Sequence, residues 1–332
     1  MVSTGFNPID GYLALWNGIF GNTYNLGETI RTITPYIFAG LAVAFAFRTG
    51  MFNIGVEGQL IMGWLAAAYV GYAFDLPPVI HVIACLIAAA LAGGIWAFIP
   101  GLLKAKLQVH EVIVTIMMNY IALHVANSII GKVSGGQEKT EQIKESASLS
   151  SEFLSSMTDY SRLHWGFAIA LVAVVVMWII LEKTTRGFEL KSVGFNKNAA
   201  EYAGMNVSKN IILAMVISGA FAGLGGAMEA LGTFGNIMKM TAATGIGFDG
   251  IAVALLGANQ PFGVLLGAIL FGALKNGGLN MPNEAGIPDE IVSIVIALII
   301  FFVASGYIIQ LLLMKFGKNS VKKNQKNVKG DK

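Results

Sequence analysis

Charge is what this sequence has least of. Asp, Glu, Lys and Arg make up 12% of its 332 residues, where a soluble domain carries about 25%. Hydrophobic types make up 55%, and the mean hydropathy is +0.67. This balance excludes an ordinary water-soluble globule. The single cysteine, Cys85, lies in an apolar run, which excludes a disulfide framework and reads as a small buried hydrophobe. Histidine is as scarce: His81, His110, His124 and His164 are scattered without ligand spacing, so no metal centre is expected. The chain lacks the G-x-x-x-x-G-K-[ST] phosphate loop, since Lys132 and Lys318 follow single glycines outside that pattern. Its serines have no paired His and acid at a readable spacing. An enzyme reading has little support, and no cofactor or nucleic-acid partner is expected. Residues 1–20 also lack a basic region followed by a small-residue cleavage site, so no leader is removed.

What the sequence has is apolar runs and 40 glycines, which spanning helices tolerate and use for close packing. Runs long enough to cross a bilayer, or nearly so, lie at about 33–47, 54–73, 79–99, 110–131, 164–181, 211–231, 246–258, 261–279 and 289–313. The first and seventh are short and are broken or extended by polar neighbours. The expectation is one all-α polytopic membrane domain over 1–332, with about nine to ten transmembrane helices. Basic residues orient it. Segment 182–210 carries Lys183, Arg186, Lys191, Lys197 and Lys209, the 100–109 link has Lys104 and Lys106, and the tail at 314–332 holds seven lysines. These belong in the cytoplasm. The 132–163 loop, rich in Ser and Glu, belongs outside, and counting back puts residues 1–32 outside too, with Tyr12 and Trp16 in the external interface. An external start without a leader is expected to follow either a further spanning helix ahead of residue 1 or a tail short enough to cross unaided.

"TGMFNIGVEGQLIMG" (49–63) has an echo in "TGIGFDGIAVALLG" (244–257). Thr-Gly opens both, Gly55 matches Gly250, Leu60 matches Leu255, and a one-residue gap aligns Gly63 with Gly257. By the span count the two enter the membrane with opposite sense, the signature of an inverted repeat with a binding site between its halves. Glu57 and Asp249 would each cost roughly 2–3 kcal/mol or more if they faced lipid. They must face a wet cavity, a partner helix or the backbone of a helix end. Glu229 and Lys275 are further ionisable residues in apolar surroundings. In a regular helix Glu57 and Gln59 point about 200° apart, so Asn53, Glu57 and Gln59 cannot share one cavity unless Gly55 and Gly58 break the helix. Glu57 is expected to be structural, satisfying backbone freed by those glycines, with Asn53 and Gln59 nearer the pathway. Gly219-x-x-x-Gly223 and Gly263-x-x-x-Gly267 read as packing motifs, and Met117 and Met118 as filler.

"GFNKNAAEYAGMNVSKN" (194–210) is the most informative polar segment. Asn196 is a good N-cap, Lys197 to Ala203 can form two helical turns, and Gly204 is a natural stop. A capped helix too short to cross the bilayer presents a cytoplasmic knob to a partner.

Taken together, "GLAVAFAFRTGMFNIGVEGQL", "VHEVIVTIMMNYIALH", "ESASL", "RGFELKSVGFNKNAAEYAGM", "ISGAFAGLGGAMEALGTF" and "GFDGIAVALLG" resemble the permease subunits of ABC importers for simple sugars, branched-chain amino acids and nucleosides. Within that superfamily the chain is most similar to bacterial nucleoside, guanosine-type permeases that work with a basic-membrane-protein-type lipoprotein. The resemblance implies a type II importer fold with inverted repeats in the bacterial cell membrane, C-terminus cytoplasmic. It also implies a second homologous permease subunit, cytoplasmic ATP-binding subunits and an external substrate-binding lipoprotein. The coupling helix of such permeases matches the knob, so Asn196, Ala199, Ala200, Glu201 and Gly204 are expected to meet the ATPase. The nucleoside substrate rests on the resemblance alone. It would suit a pathway lined by Phe52, Asn53, Glu57, Gln59, Asn119, Phe248 and Asp249, whose rings can stack on a base and whose amides can bond its edge. The family usually has one more helix at the start. Rival readings are a permease for a simple sugar, a membrane scaffold, and an ion-coupled carrier with Glu57 and Asp249 as protonation sites, which would not need the knob.

Overall fold

The computed structural model describes residues 6–288 and 290–305. Among them there is no strand, only two isolated antiparallel bridges, Lys139 to Met238 and Ser150 to His164. The basic tail at 314–332, and the part of the last apolar run beyond 305, lie outside the described residues.

Among the described residues, six helices are long and apolar enough to cross a membrane: α2 (Thr23–Arg48), α4 (Pro78–Leu107), α5 (Glu111–Val133), α7 (Gly166–Lys183), α10 (Val207–Met228, continued by a π-helical turn Glu229–Phe234) and α12 (Pro261–Gly278). The chain is a multi-pass membrane protein. The remaining α-helices of the unit ending at Asp289 are α1 (Pro8–Phe20), α3 (Val56–Ala73), α6 (Glu152–Met157), α8 (Thr185–Phe195), α9 (Lys197–Tyr202), α11 (Ile246–Leu256) and α13 (Met281–Ala285). A second unit begins at Glu290 and contributes α14 (Glu290–Ala304), whose Leu298, Phe301 and Phe302 are exposed.

Helix α2 extends the expected first span through its polar neighbours. It starts ten residues before the run 33–47, because Asn22 caps it at the Asn25 amide and its polar first turns find partners. Glu28 takes Arg31 at 2.8 Å, and also the Arg162 amide and guanidinium at 2.8 and 2.9 Å. Thr29 and Thr32 donate back to carbonyls one turn earlier. Polar residues paired in this way can lie in a span that a hydropathy count cuts short.

Helices α2, α3, α4 and α10 form the centre, and glycine lets them close. A side chain at Gly223 would strike the Ala89 carbonyl, one at Gly219 the Gly93 carbonyl, and one at Gly226 the Leu60 carbonyl. Gly219-x-x-x-Gly223 is thus the groove that seats α4. Gly263 and Gly267 do the same work for α11, against Gly257 and Val253. Cys85 is fully buried, Met118 nearly so, and Met117 is exposed. On the far side, the 132–163 segment is tied down by Thr140 to Ile237 (2.9 Å), Ile143 to Gly235 (2.8 Å) and Lys239 to Glu138 (2.8 Å), all backbone pairs. His81 joins the same surface, bonded to Ser146 Oγ at 2.8 Å and the Val70 carbonyl at 3.1 Å.

Candidate functional site

Two helices of this fold start inside the bundle. The first is α3. After α2 ends at Arg48, Gly50 turns the chain with φ 73°, a conformation that favours glycine, and its Cα lies against Gly194 of α8 so closely that neither residue has room for a side chain. Residues 51–55 are then non-helical and run back among α2, α5 and α10, so their amides need partners. Asn53 supplies them. Its Oδ1 accepts from the Gly55 amide (3.0 Å) and from Gln59 Nε2 (3.1 Å), while its Nδ2 donates to Gln59 Oε1 and Ser218 Oγ, both at 2.8 Å. Ser218 donates onward to the Ala42 carbonyl at 2.6 Å. Asn119 of α5 holds the other side, accepting from the Gly58 amide at 2.8 Å and donating to the Ile54 carbonyl at 2.9 Å. Asn53 and Gln59 are at most 1% exposed and Asn119 is 5% exposed.

The second is α11. Residues 235–245 descend from the segment held by 138–143, and α11 opens at Ile246 beside the middle of α2, where Ala39 meets Gly250 and Gly40 meets Val253. Its N-terminal amides point at Glu57. The carboxylate, fully buried, accepts from Thr244 Oγ1 (2.6 Å) and the Gly245 amide (3.1 Å) on Oε1, and from the Gly247 amide (2.6 Å) on Oε2. Gly247 touches the Glu57 backbone, where a side chain would not fit. An anion on a helix N-terminus satisfies orphan donors and complements the dipole. The starts of α3 and α11 therefore meet, and Glu57 joins them.

Asp249 lies one turn into α11 and is left over from that cap. Its Oδ2 accepts from the Tyr36 hydroxyl at 3.2 Å and pairs with Lys275 Nζ at 3.0 Å, with side chains 19% and 34% exposed for Asp249 and Lys275. Phe248 is 45% exposed. Phe52 is half-buried and packs on Phe47 with centroids 4.8 Å apart. The sequence-derived residues thus divide. Asn53, Glu57, Gln59 and Asn119 spend their hydrogen-bonding groups inside the protein, while Phe248 and Asp249 lie on an open face with Lys275.

One expectation needs correction in detail. Asn53 precedes α3 and pairs with Gln59 across the break. Glu57 serves the amides of Gly245 and Gly247, not those freed by Gly55 and Gly58, which Asn53 and Asn119 satisfy. Tyr36, Ser218 and Thr244 were not foreseen as partners. A hydroxyl inside an apolar run, as at Ser218, was the available signal.

At the other end, Asn196 caps α9 through the Ala199 amide at 3.1 Å, and Gly204 has φ 81°. Ala200 is buried, whereas Phe195 and Tyr202 are 95% and 96% exposed. A cavity of about 540 Å³ lies beside α9, lined by Phe188, Phe195, Ala199 and Met205 among others. Helix α8 ties α9 to the first break through Gly194 on Gly50 and through Lys191 to Glu182 (2.8 Å) and Arg48 to Glu182 (2.6 Å). No group of three metal-ligating side chains converges among the described residues.

Residues 25–304 match the model of a family described as the permease component of the branched-chain amino acid transport system. The chain belongs to this family. Among its relatives, a guanosine ABC transporter permease protein of Bacillus subtilis is 63% identical over 319 residues, covering 96% of this chain and 92% of the relative. A nucleoside ABC transporter permease protein of Lactococcus lactis is 42% identical, covering 95% and 88%. A glucose ABC transporter permease protein of Haloferax volcanii is 33% identical, covering 92% and 83%. No solved structure matches the chain. The permease family accounts for a site built from buried amides and broken helices.

Proposed function

We propose that this permease carries nucleosides across the bacterial membrane as one transmembrane subunit of an ATP-driven importer. The observation that carries the reading is the meeting of two helix starts at Glu57, each preceded by a non-helical segment from a different side of the bundle. Discontinuous helices whose N-termini meet inside the membrane are the way transporters place a polar site at mid-depth. The echo between 49–63 and 244–257 makes the two breaks corresponding parts of an inverted repeat. Counting α3, α11 and α14 with the six long helices brings the membrane helices to about nine. The relatives named for guanosine and nucleoside transport, at 63% and 42% identity, favour a nucleoside over the sugar of the 33% relative.

In this reading 1–332 is one permease domain that pairs with a second permease subunit around the route. Segments 1–32 and 132–163 lie outside, where a lipoprotein delivers ligand, and 182–210 and the 314–332 tail are cytoplasmic. Phe52, Phe248 and Asp249 line the route, while Asn53, Glu57, Gln59 and Asn119 hold its shape. Helix α9 is the coupling element: Asn196, Ala199, Ala200, Glu201 and Gly204 form the knob, and the exposed rings of Phe195 and Tyr202 are the anchors an ATP-binding subunit would bury. The α8 contact at Gly50 then carries its movement into the first break.

The test is uptake of radiolabelled nucleoside by liposomes holding the complete importer. Uptake should need ATP hydrolysis and should withstand a protonophore. A cysteine at Ala199 or Glu201 should crosslink to the ATP-binding subunit. Uptake that survives loss of the ATPase and collapses with the protonophore would return the ion-coupled carrier.

A further inference from the structure

We infer that the Asp249–Lys275 pair is the specificity-determining element of the route, reading whether a planar solute edge presents donors or acceptors. The inference rests on the import reading above. The pair is 3.0 Å apart between α11 and α12, level with the cap at Glu57. Lys275 lies in the last turn of α12, and Asp249 is not needed at the start of α11. The α11 amides of Gly245 and Gly247 already have Glu57, so Asp249 is not their cap. Nor is the pair sealed: both side chains keep accessible surface, 19% and 34%. Open surface on a span faces lipid, a neighbouring subunit or a wet route, and lipid is disfavoured by about 2–3 kcal/mol for each charge.

The unused valences define what fits. Among the described residues, Tyr36 and Lys275 both bond Oδ2 of Asp249, which leaves Oδ1 as a pure acceptor. Lys275 directs one of its three ammonium donors to Asp249, and no other partner for it occurs among the described residues. An acceptor beside a donor is complementary to the lactam edge of a 6-oxopurine, whose ring N–H would bond Oδ1 while its carbonyl takes the ammonium. A 2-amino group adds a second donor to the carboxylate. The 6-aminopurine edge has the opposite register: its ring nitrogen faces the carboxylate lone pairs and its amino group faces the ammonium. A site built to bond one register rejects the other, because its own charged groups are left unpaired. Phe248, exposed and adjacent in the chain, offers a ring for stacking.

The experiment compares inosine with adenosine in the reconstituted full importer, with the same lipoprotein throughout, so a changed ratio belongs to the permease. Lys275→Gln should lower the inosine-to-adenosine uptake ratio about tenfold, the loss of one charge-assisted bond. Asp249→Asn, which offers a donor in place of an acceptor, should lower it at least as far. The exchange variant Asp249→Lys with Lys275→Asp keeps an ion pair and should shift the ratio towards adenosine. If Lys275→Gln assembles at the wild-type level and its ratio stays within about twofold of wild type, the pair is structural and the inference fails. A uniform fall in both uptakes overturns it in the same way. Failure of the wild type to move any nucleoside with ATP present would instead sink the import reading itself, and that result appears before any variant is made.

Discussion

The two glycine-rich breaks, 49–59 and 244–250, look alike in sequence and differ in what their polar side chains do. In the first, Asn53, Glu57 and Gln59 are sealed, and every polar atom is spent on backbone or on another side chain. In the second, Asp249 is half-open and paired with Lys275, and Phe248 is exposed. The reason lies in which break satisfies the other. Helix α11 borrows its cap from α3, so Glu57 must reach across and be buried, while Asp249 is left for other partners. A buried polar residue in a span can therefore be scaffold, and a merely half-buried one is the better candidate for contact with solute.

The strongest way to break this contrast is to remove the shared cap. Glu57→Leu leaves the amides of Gly245 and Gly247 and the Thr244 hydroxyl without an acceptor, at about 1–3 kcal/mol each. The three together sum to about 3–9 kcal/mol, a large share of a net stability of about 5–15 kcal/mol, so the variant should fail to accumulate as an assembled complex. Glu57→Gln keeps one acceptor and should assemble while losing about 2 kcal/mol. Membrane abundance and detergent melting of the two variants check this. Normal amounts of the Leu variant would show that the start of α11 needs no anion.

Next in size is the closed side alone. Asn53→Ala removes an acceptor for the Gly55 amide and strands the Gln59 amide, which should cost about 2–4 kcal/mol without touching the α11 cap. The complex should melt earlier and yet keep its inosine-to-adenosine ratio. A changed ratio with unchanged melting would reverse the roles assigned to the two breaks.

These two variants also show how much was legible. The membrane class, the short capped helix α9 and the need of Glu57 for a partner inside the protein could be read from apolar runs, from Asn196 with Gly204, and from a carboxylate no lipid would accept. The partners of Glu57 could not, because Gly245 and Gly247 are nearly 190 residues away, and a glycine amide has no side chain to announce a need. How far α2 extends ahead of its apolar run was not legible for a similar reason. Glu28 and Arg31 look unfit for a membrane until Arg162, from a distant loop, completes the pairing. Lys275 reads as an isolated charge in sequence, and only packing of α12 against α11 reveals its acid.

A milder perturbation reaches the second break from outside. His164 is 2% exposed, bonded at Nδ1 to the Gly166 amide (3.1 Å), with its ring against Gly232 of the π turn that leads to 235–245. Burial, aided by the nearby Arg31 charge, pushes its pKa down from 6.5 to about 4. The folded state thus binds this proton less readily than the unfolded one. Stability is complete above pH 6.5 and falls as pH drops towards 4, by about 2–3 kcal/mol in all. His164→Asn, which can still accept from Gly166, should flatten melting between pH 6.5 and 4. An unchanged slope would mean that the histidine is not the group being titrated.

The smallest expected effect is on the open side, and it sharpens the comparison most. Lys275→Gln breaks an ion pair whose members keep 34% and 19% of their side-chain surface, so water and counter-ions already screen much of the attraction. Exposed pairs of this kind contribute about 0–1 kcal/mol, and glutamine can still donate to Asp249. Melting should therefore move far less than in Asn53→Ala, although only one residue changes in each case and both positions lie beside the meeting of α3 and α11. Selectivity should respond in the opposite order, with Lys275→Gln changing the uptake ratio and Asn53→Ala leaving it alone. The paired measurement separates scaffold from contact without any assumption about how tightly solute binds. If Lys275→Gln destabilises the complex as much as Asn53→Ala does, the pair is buried by a neighbouring subunit in the assembled importer. The distinction between a closed and an open break would then hold only for the isolated chain.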